Sequence, residues 1–312
     1  MIQTDIDSRR EATVALTTGL VVLDMLMAVT GNSLVCLALY RNRRLRTITN
    51  LYVLSLAIGD IAIAILVFPF SVIASVWRQW PFGYSFCQFN GFITYLWGGV
   101  SIYTLALTAI NRHFCVVKQQ QHPHLFTEKK AILSILFVFA FTLVVGLLSS
   151  LAVPVIYRWR PHSLYCVAQS TSDLNETFVC FSFLGFYMII PMQLIMYGYG
   201  SVFLAVRKHN NAIIPSLQIN RNHLTARAEE VRTSRVLFAA VLGYCICWLP
   251  TNVIGILELG IHFPLPSILL TVYSMFAFTS SWINPLIYGA MSRAMRKEFL
   301  RILGCGNETV LG

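Results

Sequence analysis

Asp60 closes the run Leu56-Ala57-Ile58-Gly59-Asp60 and is the sole formal charge between Ile48 and Val76. A carboxylate in such surroundings is costly, and its presence is a functional hypothesis by default. Asn32, Ser101, Ser281 and Asn284 stand at similar depth within other apolar runs. Together these five could surround a small cation, with Asp60 as the charged metal ligand, since hard cations take oxygen donors. The alternative is a protonated Asp60 satisfied by its neighbours. Arg112, in Asn111-Arg112-His113, ends another uncharged run. It either snorkels to lipid headgroups or stays inside a helix bundle until a conformational change releases it. In the second case Glu230 is the partner that would latch it. Cys247-Trp248-Leu249-Pro250 sets a large aromatic beside a proline that frees a backbone carbonyl and kinks its helix. Trp248 is then either plain packing or a ring that couples a cavity to the pivot at Pro250. Pro69, Pro154, Pro191 and Pro285 mark further kinks.

Catalysis finds little to work with. There is no glycine-rich phosphate loop, no His-Glu-x-x-His run and no serine, histidine and aspartate set, so no enzyme and no bound cofactor is expected beyond an allosteric sodium ion. Cys36, Cys115, Cys180, Cys245 and Cys247 lack metal-ligand spacing.

The elements that position these residues are legible from composition. The 312 residues are 56% hydrophobic and 12% charged, against about 25% charged in a soluble domain. A bilayer crossing needs about 20 mainly apolar residues. Seven stretches qualify: Thr13–Tyr40, Ile48–Val76, Pro81–Asn111, Ala131–Tyr157, Thr177–Val206, Val236–Leu257 and Leu265–Ala290. Asp24 in the first and Asp60 in the second are their formal charges. Backbone groups at this depth must be satisfied internally, so the spans are helices. The expected fold is an all-α, seven-transmembrane helix bundle over residues 13–290, with residues 1–12 outside and residues 291–312 as a cytoplasmic amphipathic helix and tail.

Lysine and arginine set the orientation. The segments following spans 1, 3, 5 and 7 hold eighteen of them, and the opposite side holds five. The basic side is cytoplasmic, which places the N-terminus outside and makes the net charge of +10 a feature facing anionic lipid rather than nucleic acid. The N-terminal residues lack a basic region followed by a cleavage site, so no signal peptide is expected. Cys87 and Cys166 both fall on the oxidising side, where a disulfide can form. Asn175-Glu176-Thr177 is a glycosylation acceptor in an outer loop, whereas Asn307-Glu308-Thr309 lies inside. Ser292–Leu303 carries Met291, Met295, Phe299 and Ile302 at near-helical spacing. Cys305 beyond it is either a palmitoylation site or an unmodified surface thiol.

Taken in order, these pieces resemble the rhodopsin-like (class A) G-protein-coupled receptors: Gly31-Asn32, Leu56 through Asp60, Trp80 through Cys87, Asn111-Arg112-His113, Pro191 with Tyr199, Cys247 through Pro250, and Asn284-Pro285-Leu286-Ile287-Tyr288. Within that class, Tyr40 through Arg46, Ala109 through Arg112, Cys247-Trp248, Asn252 through Gly255, and Ile287-Tyr288-Gly289 with Arg296-Lys297-Glu298 are similar to melatonin receptors. The resemblance implies an extracellular ligand, a heterotrimeric G protein inside, a plasma-membrane location, a bonded Cys87–Cys166 pair and a sodium-type pocket at Asp60. It also implies a switch built from Asn111, Arg112, His113, Tyr199, Glu230, Trp248, Pro250 and Tyr288.

The chain departs from the melatonin group at His113, where Tyr is usual, at Pro285, at Val155, and in Val167-Ala168-Gln169, which lacks the expected aromatic. Gln169 and Asn252 still match ligand-contacting positions. Phe278 stands where an opsin has lysine, and Thr94 where a monoamine receptor has an acid. The implied ligand site, Thr94, Tyr95, Gly98, Gln169, Trp248, Asn252 and Phe278, is uncharged. Gly98 and Gly99 leave room beside Trp248, which suits a neutral, flat or lipid-like ligand. A peptide ligand, and a non-signalling decoy or scaffold, are the alternatives.

Overall fold

Apolar runs that must satisfy their own backbone in lipid fold as helices, and the computed structural model is built from ten of them among the described residues. Those residues are 2–152, 155–160, 164–170, 185–213, 221–257, 263 and 265–305. In chain order they form α1 (Ile2–Arg41), α2 (Ile48–Leu66), α3 (Phe68–Trp77), α4 (Gly83–Val116), α5 (His122–Leu125), α6 (Glu128–Ala152), the hairpin strands β1 (Val155–Trp159) and β2 (Cys166–Ser170), then α7 (Ile190–Ile213), α8 (Arg221–Gly255), α9 (Ser267–Met291) and α10 (Arg293–Ile302). A π-helical turn, Gly185–Ile189, leads into α7.

Six membrane spans meet the length and apolarity of a bilayer crossing: α1, α2 with α3, α4, α6, α7 with its leading turn, and α8. The seventh, α9, carries Thr271, Ser274, Ser281 and Asn284, all buried, and closes the bundle between α8 and α1. α4 is central, touching α2, α6, α7 and α8. Leu133, Phe137, Met196 and Phe203 are more than half exposed, as expected of side chains whose solvent is lipid.

The second span breaks where its proline predicts. Pro69 sits in the first turn of α3, so α2 ends at Leu66 and Val67 joins the two. The expected fourth span is too long. Val155–Tyr157 read as its apolar outer end, but they pair as an antiparallel strand, with Val155 opposite Ser170 and Trp159 opposite Cys166. Gln88 explains the switch: its amide donates to the Tyr157 carbonyl at 2.7 Å, and the Tyr157 N–H donates to its carbonyl oxygen at 2.9 Å. Cys87 and Cys166 are disulfide-bonded, so the hairpin is tied to the outer end of α4 twice. Gly91 leaves space there that the Tyr157 ring and the Cys166 carbonyl fill; an added Cβ would sit 2.7 Å from that carbonyl oxygen.

α8 runs inward well past the expected start of its span, and α1 outward past its own. The amphipathic stretch is the helix α10, capped by the Ser292 hydroxyl on the Met295 N–H. Met295 is buried, Phe299 packs against Gly289, and Glu298 accepts from Asn42 at 2.9 Å and Arg301 at 2.8 Å. Cys305 just beyond is exposed. Asn175 lies outside the described residues.

Candidate functional site

A narrow cavity of about 30 Å3 runs through the middle of the bundle. Its lining brings together two sets of residues that the sequence treats separately. Thr94, Gly98, Trp248 and Phe278 form the outer part, and Asp60, Ser101, Ser281 and Asn284 the inner part. Both come from α2, α4, α8 and α9, whose polar faces turn inward because lipid offers them no hydrogen bonds. Asp60 lies against Asn284. The Asp60 Oδ2 and Asn284 Oδ1 atoms are buried and have no hydrogen-bond partner among the described residues. One carboxylate oxygen and one amide oxygen left unpaired beside two serines fit a small monovalent cation that accepts oxygen donors.

Asn32 is not brought to that cavity. Its amide nitrogen donates to the Ala28 carbonyl at 2.9 Å and to the Ser281 carbonyl at 2.7 Å, which bridges α1 to α9. Tyr95, Gln169 and Asn252 also stand outside the lining. Tyr95 lies against the Tyr157 ring, 5.8 Å between centroids. Gln169, with its amide oriented to satisfy both groups, accepts from the Arg160 guanidinium. Asn252 donates to the Trp248 carbonyl at 2.7 Å, one turn above that ring.

The glycines differ from expectation. A Cβ at Gly98 would meet the Trp248 ring at 3.2 Å, so the tryptophan itself fills the space. Gly99, rotated about 100° further around α4, faces Tyr187 and Thr142 instead. Trp248 stacks on Tyr244 at 5.7 Å, and its indole N–H is buried with no partner among the described residues. Phe278 packs on Phe68 at 4.4 Å and on Tyr165, from the loop ahead of β2, at 6.0 Å. Tyr244, Phe68 and Tyr165 have no spacing signal that would single them out in sequence.

Asp24, recorded in sequence only as the charge of span 1, has a role. It accepts from the Trp282 indole at 2.6 Å and lies 3.5 Å from the Thr279 hydroxyl. The pair fastens α1 to α9.

At the cytoplasmic end the described contacts of Arg112 are with uncharged groups. Its guanidinium donates to the Thr49 hydroxyl, to Asn111 Oδ1 at 3.1 Å and to the Cys115 sulfur at 3.4 Å. Thr49 donates to Asn111 Oδ1 at 2.9 Å, and the Asn111 amide meets His122 Nε2 at 3.1 Å. The expected latch, Glu230, has a side chain outside the described residues. His113 meets the Ser201 hydroxyl at 2.6 Å and so fastens α4 to α7. Tyr199 and Tyr288 are buried within electrostatic reach of one another, and neither hydroxyl has a hydrogen-bond partner among the described residues. Pro250 lies inside α8, two residues from Trp248, and Pro285 inside α9, where it packs on Gly31.

Residues 31–288 match the family described as 7 transmembrane receptor (rhodopsin family). Over 288 residues the chain is 28% identical to melatonin receptor type 1A of Gallus gallus, which spans 91% of this chain and 77% of that one. It is 29% identical to trace amine-associated receptor 13c of Danio rerio (89% and 83% covered) and 27% identical to 5-hydroxytryptamine receptor 4 of Cavia porcellus (91% and 78%). The fold superposes on squid rhodopsin with a TM-score of 0.83 at 20% identity, covering 96% of this chain and 89% of that one.

Proposed function

The chain belongs to the rhodopsin family of seven-transmembrane receptors, and from that premise we propose that it signals for a small, neutral, flat ligand. It is a multi-pass membrane receptor of the melatonin-receptor-like kind, not an enzyme. In the proposed orientation its N-terminus is outside, at the plasma membrane. The ligand enters above Trp248 and a heterotrimeric G protein engages the opposite end.

One observation carries this reading: Thr94, Gly98, Trp248 and Phe278 line the same cavity as Asp60, Ser101, Ser281 and Asn284. A ligand pressing on Trp248 therefore acts directly on the space beside Asp60 and on the pivot at Pro250. Neutral chemistry follows from the outer lining, where Thr94, Gly98 and Phe278 offer no anion for an ammonium group. Thermal unfolding of the purified receptor with two indole probes tests this. Melatonin, uncharged, is expected to raise the midpoint, and 5-hydroxytryptamine, cationic at neutral pH, to raise it less or not at all. Greater stabilisation by the cation would overturn the neutral reading.

A sodium ion held by Asp60, Ser101, Ser281 and Asn284 would favour the conformation in which these oxygens stay apart. A ligand that stabilises the other conformation then loses affinity as sodium rises. Replacing sodium by N-methylglucamine is expected to shift agonist-stimulated exchange in the wild type and leave Asp60→Asn unmoved. Equal sodium dependence in both proteins would remove Asp60 from the site.

A further inference from the structure

A second cavity, of about 350 Å3, opens at the cytoplasmic end of the bundle. We propose that it binds a polyphosphate anion of inositol-polyphosphate size, supplied either free in solution or as the headgroup of an inner-leaflet lipid.

Charge is the first ground. Arg44, Arg112, Arg232 and Arg293 line the cavity from four different elements, and among the described residues no aspartate or glutamate lines it. The last two and Arg44 make no ion pair or side-chain hydrogen bond among the described residues. Guanidinium groups stay protonated at any physiological pH and bind phosphate with paired N–H donors. Arg112 is engaged with Thr49, Asn111 and Cys115, and the three other positive charges still exceed what a single phosphate neutralises, which selects a multiply charged anion.

The backbone adds to this. α2 begins behind its cap Thr47 and α10 behind its cap Ser292, and both caps line the cavity. Two helix N-termini, each with free N–H groups and the positive end of a dipole, therefore open onto the same space.

A buried donor is the third ground. Tyr288 lines this cavity, is 3% exposed, and its hydroxyl has no hydrogen-bond partner among the described residues. A buried hydroxyl without a partner is costly, and a phosphate oxygen would satisfy it. The volume also suits a small ligand, at the lower end of the few hundred Å3 usual for such sites.

Binding of the anion does not depend on the G-protein reading, although a G protein entering this face would meet the same arginines and compete. The test uses the full chain in nanodiscs. In one arm the discs are phosphatidylcholine only and inositol hexakisphosphate is titrated in, with binding read by calorimetry. In the other, discs contain phosphatidylinositol 4,5-bisphosphate and lipid retained by the receptor is quantified by mass spectrometry. The triple variant Arg44→Gln, Arg232→Gln, Arg293→Gln is expected to weaken binding by about tenfold or more, since each charge-assisted contact contributes. The pair Arg296→Gln, Lys297→Gln, on α10 but outside the lining, should change it by less than about twofold because charges that make no direct contact act only through screened solvent. Single replacements, each expected to weaken binding about threefold, serve if the triple variant is poorly expressed. Binding in the first arm identifies a soluble anion as sufficient; binding in the second alone identifies the lipid. Binding in neither arm, or equal losses in the cavity and control variants, would overturn the proposal.

Discussion

Replacing Arg112 by Ala abolishes G-protein activation and leaves ligand binding at the outer cavity intact. Arg112 is 5% exposed and held by Thr49, Asn111 and Cys115, while the ligand candidates lie toward the other end of α4. Losing a buried charged contact at an interface costs about 2–5 kcal/mol, a fall of roughly thirtyfold or more in coupling. Melatonin-induced stabilisation, or binding of whichever indole proves active, reports the outer site separately. Unchanged nucleotide exchange by Arg112→Ala would remove this residue from the coupling step. Asn111, beside Arg112, carries no charge to pair with it, so measurable exchange without ligand is expected.

Replacing Gly198 by Ala loosens the bundle beside that switch. A Cβ at Gly198 would lie 2.7 Å from the Ala109 carbonyl oxygen and 2.8 Å from its carbon. Both are backbone atoms of α4 and cannot rotate away, so α4 and α7 must separate. Overpacking of this kind costs about 1–3 kcal/mol. Ser201, one turn along α7, would lose its 2.6 Å contact with His113. Gly200 has nothing within 4 Å of the same added atom, so Gly200→Ala should be neutral or stabilising by up to about 1 kcal/mol through helix propensity. Thermal unfolding of both variants in micelles checks the pair; equal midpoints would refute the close approach.

The seven spans and the family motifs are legible because membrane helices impose long uncharged runs, a signal that survives without knowledge of partners. What stays hidden is set by partners far away in sequence. Asp24 is visible as a charge, yet its donor Trp282 lies 258 positions on and no periodicity links them. Asn32 has the right depth for a cation, but depth does not show that its amide nitrogen ties α1 to Ser281 of α9. Gly99 is adjacent to Gly98 and still faces another helix, because one helical step turns the side chain away. Val155–Tyr157 are apolar enough for a span and become a strand because Gln88 and the facing residues Ala168, Gln169 and Ser170 supply strand-like partners. Thr49, which holds Arg112, is an ordinary threonine near a helix start until α2 is placed against α4.

Coupling to a heterotrimeric G protein is tested by nucleotide exchange on purified heterotrimers of each class, with the unliganded wild-type chain in nanodiscs compared against empty discs and Arg112→Ala discs. Exchange above empty discs is expected for at least one class, lost in Arg112→Ala. Exchange by the wild type no faster than in empty discs for every class, with and without the indole that stabilises it, would contradict the proposed coupling.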